Sequence, residues 1–568
     1  PPGRGEFQQV GRETEARATD ATPVVPVIQP AIPVESTADI SSSLDDKSPA
    51  AVQPASGSAA ASEETVAIEG PESEVSKAVA GNASTATRAI KFPEWPKPAV
   101  ALIVTGEQHG YFEPCGCTAN QLGGMSRRAA LFDMVRGLGW ATRGIDLGGI
   151  SRRTGIQAQQ KFEITLEALR DLQYVALGMG VEELRLGPDY LLAQHLTEGD
   201  EPLRFLGSNL IFFGARELGT PLPHAIVDIE GLKIGISCVM SETIRKDVIP
   251  EMTAEEAAAA ELQFTDPQAA VADVLQHFEQ EAVEFRILIS HATLEESRAL
   301  AKEFPQWNLI LAANGFGDGE PAPEMIGPVR MLQVGENGKS AGVLALYPDD
   351  TVEPVRFELV TLDGTRFADT PRMTALMQKY QDRLLEESVV TSSEPAIHGS
   401  GAKFIGADRC GECHTTAYAI WKKTPHSHAF ESLDPVHRRK GHERLHGVNR
   451  SFDPECLSCH VTGWNPKEYF RFDSGFLNEK FAATDDERKL QSLLAGNQCE
   501  NCHGPGSRHV ELIDAGDLEA AAREVRVTLD QARDEASGKS CRECHDLDNS
   551  PEFEFDSYWE KVKHYGRD

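Results

Sequence analysis

The sequence predicts a multidomain protein: a disordered N-terminal tail, then an α/β layered domain, then a C-terminal third that is mainly helical or irregular. Three observations carry this expectation. At 568 residues the chain is too long to fold around one core. Residues 1–95 are rich in Pro, Ala, Ser, Thr, Glu and Val, with no aromatic between Phe7 and Phe92. Past residue 397 the composition changes abruptly, because eight of the eleven cysteines and twelve of the seventeen histidines lie there.

The tail, residues 1–95, cannot bury enough apolar surface to offset the entropy of ordering, so it reads as a tether. Order begins beyond Pro98 with an apolar run, Ala99–Thr105, of strand length. A helical pattern at Met125–Leu138, a strand at Ala141–Leu147, an amphipathic helix at Ile156–Leu172 and a strand at Tyr174–Gly178 follow. A further strand is expected at Arg204–Ser208. His224–Ile229 and Lys233–Met240 form a hairpin turned at Glu230-Gly231. A helix from Pro267, a strand at Arg286–Ser290, a helix at Leu294–Glu303 and a strand at Leu309–Ala313 come next, then short strands near 330–334, 342–347 and 354–359. Alternating helix and strand with a late antiparallel set predicts a layered α/β domain over 96–362. A charged helix and a Ser/Thr-rich linker fill 363–400, and residues 401–568 form the last domain, where regular apolar periodicity is sparse.

The formal net charge of -33 argues against nucleic-acid binding, which needs clustered Lys and Arg. Residues 401–568 hold 23 Lys+Arg against 30 Asp+Glu, a balance of -7, so most of the charge lies upstream. No run of 18 apolar residues exists to span a membrane, and a signal or anchor removed before Pro1 is compatible with the sequence.

Four stretches share one spacing: Cys410–Cys413–His414, Cys456–Cys459–His460, Cys499–Cys502–His503 and Cys541–Cys544–His545. C-x-x-C-H is the spacing at which two thiols add to the vinyl groups of one haem and the next residue reaches the iron. Zinc ribbons or disulfides would use the cysteine pairs but give no reason for a histidine after every second one. The expected cofactors are therefore four haem c groups, with His414, His460, His503 and His545 as proximal ligands. Covalently held porphyrin would also supply the apolar core that this region lacks. Eight further histidines are available as distal ligands, whereas no methionine occurs after Met377.

Residues 404–568 resemble the cytochrome c-554 and c-prime type multihaem family. The likeness rests on Trp421-Lys-Lys-Thr-Pro-His426-Ser-His428, on Cys459-His460-Val-Thr-Gly, on Cys502-His503-Gly-Pro-Gly-Ser-Arg-His509, and on Trp559 followed by His564. The resemblance implies His426, His509 and His564 as distal ligands, with His428 as the fallback for His426. The fourth is open among His437, His442 and His446, with His446 the working choice. It further implies electron transfer, redox partner proteins and a periplasmic or otherwise exported location. If one iron lacks a sixth ligand, an oxidoreductase acting on a small nitrogen or sulfur compound becomes the alternative.

Residues 99–360 resemble the 5'-nucleotidase and metallophosphatase superfamily through Glu107-Gln-His109-Gly110, Glu113-Pro114 and Gly123-Gly124-Met-Ser-Arg127-Arg-Ala. Several ligand positions of that family are changed. Leu147-Gly148-Gly149 stands for its Gly-Asp, Gly178-Met179-Gly180-Val181-Glu182 for its Gly-Asn-His-Glu, and Asn314-Gly315-Phe316-Gly317 for its closing Gly-His-x-His. Two bridged divalent ions need more ligands than remain. The domain is therefore expected to be a degenerate docking or ligand-binding module, with a phosphoesterase fused to a cytochrome as the second alternative. Glu107, His109, Cys115 and Cys117 could form an extra zinc, copper or redox site. A disulfide or simple loop packing explains the Cys115–Cys117 pair as well.

Overall fold

The computed structural model describes residues 89–114, 121–195, 203–248, 260–313, 317–436, 447–546, 549–550 and 553–564. The tail through residue 88, Cys115, Cys117, His437, His442, His446 and Asn314–Phe316 lie outside these residues. Residues 86–568 form one compact unit.

In chain order the described strands are β1 (Val100–Thr105), β2 (Thr142–Asp146), β3 (Tyr174–Gly178), β4 (Arg204–Leu206), β5 (Leu210–Phe212), β6 (His224–Ile229) and β7 (Leu232–Met240). The rest are β8 (Leu262–Phe264), β9 (Phe285–His291), β10 (Leu309–Ala312), β11 (Glu324–Ile326), β12 (Val329–Leu332), β13 (Ser340–Leu346) and β14 (Val355–Thr361). Twelve of them build two six-stranded sheets, ordered β14-β13-β1-β2-β3-β4 and β11-β12-β10-β9-β7-β6, and β5 pairs with β8 alone. In the first sheet β1 to β4 run parallel, and β13 and β14 close one side antiparallel. In the second, β7, β9, β10 and β12 run parallel between antiparallel edges β6 and β11.

The pleat alone sorts the two faces of β1. Val100, Leu102 and Val104 point into the apolar layer shared with Ile234, Ile236, Ile287 and Ile289 of the second sheet. Ala101 and Ile103 point the other way, onto Leu131, Phe132, Phe162 and Tyr380 of the helices Met125–Gly137, Ile156–Asp171 and Pro371–Glu386. The helices Pro267–Gln280 and Leu294–Glu303 cover the outer face of the second sheet through Val274, Phe278 and Leu300. The result is four layers: helix, sheet, sheet, helix. Strands buried on both faces read as continuous apolar runs, which is why β1, β9 and β10 stand out in the sequence.

The segment after the Pro371–Glu386 helix is more tightly held than a linker. Val389 and Val390 are buried in a short 3-10 turn, and Ala396 pairs with Phe472. The C-terminal region also has an apolar core of its own, contrary to the expectation that porphyrin must supply all of it. Phe404, Leu433, Leu457, Val461, Trp464, Phe476, Leu477 and Leu494 pack together. These residues are scattered among Gly, Pro and polar positions, so no periodicity announces them. The helices there are short, from Ala407–Gly411 to Phe555–Val562.

Candidate functional site

Each C-x-x-C-H stretch sits on or beside a short helix. Cys410 lies in Ala407–Gly411, Cys456 to His460 in Pro454–His460, Cys499 to His503 in Cys499–His503, and Cys541 in a 3-10 turn over Cys541–Glu543. One helical turn brings the two thiols of a pair to the same side. None of the nine described cysteines forms a disulfide.

Three motif histidines face a histidine from elsewhere in the chain. His414 faces His509 with ring centroids 6.2 Å apart, His545 faces His426 at 6.0 Å, and His503 faces His564 at 5.9 Å. Two metal–nitrogen bonds of about 2.0 Å, plus about 1.1 Å from each nitrogen to its ring centre, give roughly 6 Å across one metal ion. The spacing therefore fits one iron held between two imidazoles. His428 turns elsewhere, its Nδ1 3.3 Å from Glu431 Oε2. His398 bonds Ser400 and lies edge-on to Phe404 and Phe472.

Most of these rings are fixed through the other nitrogen. Nδ1 lies 2.7 Å from Val525 O in His503, 2.8 Å from Ala521 O in His509, 3.0 Å from Val562 O in His564 and 2.8 Å from Ala429 O in His460. In His545 it meets Ser550 Oγ at 2.9 Å. A carbonyl accepts only an N–H, so Nδ1 carries the proton and Nε2 keeps its lone pair for a metal. Burial, then the neighbouring His426 and His460, push His545 down to about 4, which keeps its ring neutral.

The helices are tied to one another by buried polar groups. Glu500 accepts from the backbone N–H groups of Ile405, Gly406 and Gly506, and Gln498 Oε1 accepts from Ala407 N at 2.6 Å. These bonds draw the first and third motifs together. Cys544 and His545 of the fourth motif line one cavity with Cys456, Cys459 and His460 of the second.

In the α/β region, Glu107 and His109 leave the end of β1 with φ of 48° and 52°. This left-handed backbone is held by bonds from Glu107 N to Gly148 O and from His109 N to Gly149 O. His109 Nε2 lies 3.0 Å from Glu107 Oε2 and 4.0 Å from Glu182 Oε1. Burial works against protonation of His109, but Glu107 outweighs it and holds the ring above its ordinary value. Among the described residues no group of three or more His, Cys, Asp or Glu converges to hold an ion. The structure thus brings Glu107 and His109 together, while their expected partners Cys115 and Cys117 lie outside the described residues.

The neighbouring acids are engaged internally. Asp146 accepts from Thr105 Oγ1 at 2.6 Å and pairs with the buried Arg128 at 3.3 Å. Glu183 is fully buried and accepts from the N–H groups of Gly149, Ile150 and Gly180 at 3.1, 2.8 and 3.0 Å. Burial, then Glu182, push it up to about 8. His291 Nε2 donates to Leu147 O at 2.7 Å. Sequence reasoning aligns Glu182 with the family pattern and passes over Glu183, which nothing in the local pattern distinguishes.

Residues 409–504 match the cytochrome c554 and c-prime family. Cytochrome c-554 of Nitrosomonas europaea is 30% identical over 126 residues, 22% of this chain and 47% of that protein. The chain thus spans about half the length of that relative. Among solved structures, the α/β region is similar to a 5'-nucleotidase precursor from Thermus thermophilus, with a TM-score of 0.42 and 19% identity over 52% of this chain and 60% of that one. A calcineurin-like phosphoesterase, YfkN from Bacillus subtilis, has a TM-score of 0.41 and 16% identity, over 51% of this chain and 99% of that one. The C-terminal region thus resembles cytochrome c554, which implies haem c as the cofactor.

The two regions meet at the second motif of the cytochrome c554-like part. Asp453 caps the Pro454–His460 helix, its Oδ1 accepting from Glu455 N. The same carboxylate accepts from Gln157 at 2.8 Å and from Gln381 at 2.7 Å, on two helices of the α/β region. Lys161 reaches Glu455 at 2.6 Å, Arg450 pairs with Glu113, and Arg153 stacks 3.8 Å from the Tyr469 ring. A cavity of about 1550 Å³ opens at this junction, lined by His109, Glu113 and Lys161 on one side and by Arg450, Cys456 and His460 on the other. Asp453 and Arg450 carry this junction, and no motif in the sequence marks either.

Proposed function

We propose that this protein is an exported tetrahaem cytochrome that passes electrons through haems attached at Cys410/Cys413, Cys456/Cys459, Cys499/Cys502 and Cys541/Cys544. The observation that carries the reading is the set of three imidazole pairs, each joining a motif histidine to one outside the motifs at the spacing of a six-coordinate iron. In this reading His414, His460, His503 and His545 are the proximal ligands, and His509, His426 and His564 the distal ligands of the first, fourth and third irons. His446 stays the working choice for the second iron. Each haem, when bound, supplies a one-electron iron couple. The residues of the chain fix the histidine rings and bring the attachment sites close. The Glu500 and Gln498 bonds between the first and third motifs, and the cavity shared by the second and fourth, support a path in which the first and third haems are neighbours and the second and fourth are neighbours.

Ion pairing of Asp146 with Arg128, and occupation of three backbone N–H groups by Glu183, support a docking or ligand-binding role for the α/β region rather than ester hydrolysis. Among the described residues no helix is long and apolar enough to cross a membrane. Covalent haem attachment supports an exported or periplasmic site, where redox partner proteins would meet the chain. Intact-mass analysis of native protein tests the proposal. A mass increment of four haems is expected, and zinc with no added porphyrin would overturn it.

A further inference from the structure

Arg450 sits on the wall of the junction cavity together with Cys456, Cys459 and His460, and only 5% of it is exposed. One end of its guanidinium is paired with Glu113 from the α/β region. Its Nε–H, by contrast, is buried with no acceptor among the described residues. A buried donor left unmet costs about 1–3 kcal/mol, more for a charged group. Such a group is retained where something outside the chain answers it. The neighbouring cation Lys161, also on the cavity wall, is engaged with Glu455.

Resting on the haem reading above, we propose that the α/β region completes the pocket of the second haem, with Glu113 holding Arg450 so that its Nε–H meets an anionic oxygen in the cavity. Two sources supply such an oxygen: a propionate of the haem on Cys456 and Cys459, or a dissolved oxyanion. Either way the Glu113–Arg450 pair sets the local charge at that haem. A nearby positive charge favours the reduced iron and a negative one the oxidised iron, so the two partners pull its potential in opposite directions.

The test is redox titration of the full-length, haem-loaded chain in phosphate-free buffer, followed by absorption and electron paramagnetic resonance. One of the four midpoints is expected to fall in Arg450→Gln and to rise in Glu113→Gln, while Arg450→Lys stays near the wild type. If inorganic phosphate leaves the wild-type midpoints in place, the oxygen belongs to a propionate. A phosphate-induced shift that Arg450→Gln abolishes assigns it to a dissolved oxyanion. Midpoints that stay put in both variants, or move in the same direction in both, overturn the proposal. Should Arg450→Gln fail to fold, the upward shift in Glu113→Gln decides alone. Native protein with three haems and none on Cys456 and Cys459 removes the haem reading itself, a different failure recognised by mass before any titration.

Discussion

His414 and His509 stand ring to ring with 6.2 Å between centroids and an interplanar angle of 33°. His509 is positioned by its own helix, Ser507–Asp514, and by the bond between its Nδ1 and Ala521 O. His509→Ala would withdraw one face of this pair and leave the attachment cysteines untouched. The expected outcome is conversion of one haem in four from low to high spin, read by electron paramagnetic resonance, with the four-haem mass increment retained. Four unchanged low-spin signals would show that His509 binds no iron.

Asp453 serves both regions, as a helix cap and as the acceptor for Gln157 and Gln381. Asp453→Ala should cost about 1–2 kcal/mol for the cap, and more for the buried Gln381 amide left without this acceptor. Hydrogen exchange should then speed up first in the Pro454–His460 helix. Uniform acceleration over the whole chain would count against a local role.

Arg128 and Asp146 form an ion pair in which each residue is 1% exposed. Arg128→Met strands a buried carboxylate, and about 3–5 kcal/mol of stability should be lost. Adding Asp146→Asn should recover part of that loss. Thermal melts of the single and double variants measure both steps, and a double variant no more stable than the single one would contradict the coupling.

Glu183 titrates far from the ordinary carboxyl range, near 8. Because the folded state holds this proton more tightly than the unfolded state, stability is greatest below about 4.5 and declines as pH rises through about 8. Glu183→Gln cannot accept through both side-chain atoms, so it is less stable at low pH, but it lacks this decline. The stability gap between the two proteins should therefore narrow as pH rises from about 4.5 to 8. A gap that widens over this window, in melts run at several pH values, would refute the assignment.

What the sequence discloses depends on how local the cause is. The Leu294–Glu303 helix falls where expected because Thr293 and Glu296 cap it reciprocally within four residues. The hairpin of β6 and β7 turns at Glu230 and Gly231, both with positive φ, as a two-residue turn requires. The four C-x-x-C-H sites are equally local. The small pair β5 and β8 is invisible at that level, since Leu210–Phe212 and Leu262–Phe264 are too short to show a period and meet only through the tertiary fold. Which histidine faces which motif is a long-range matter, and only the family resemblance points to His426 over His428. Arg450 and Asp453 look like ordinary surface residues in the sequence, and only the junction reveals them as buried.

The grip of Gln157 and Gln381 on Asp453 bears on any attempt to dissect the chain. Cutting near Ser400 to isolate a free-standing electron carrier would hand the start of the Pro454–His460 segment over to solvent, and would uncover Arg450 at the same stroke. The upstream half is thus a splint for the downstream half, and a fragment prepared without it would report the behaviour of a loosened carrier.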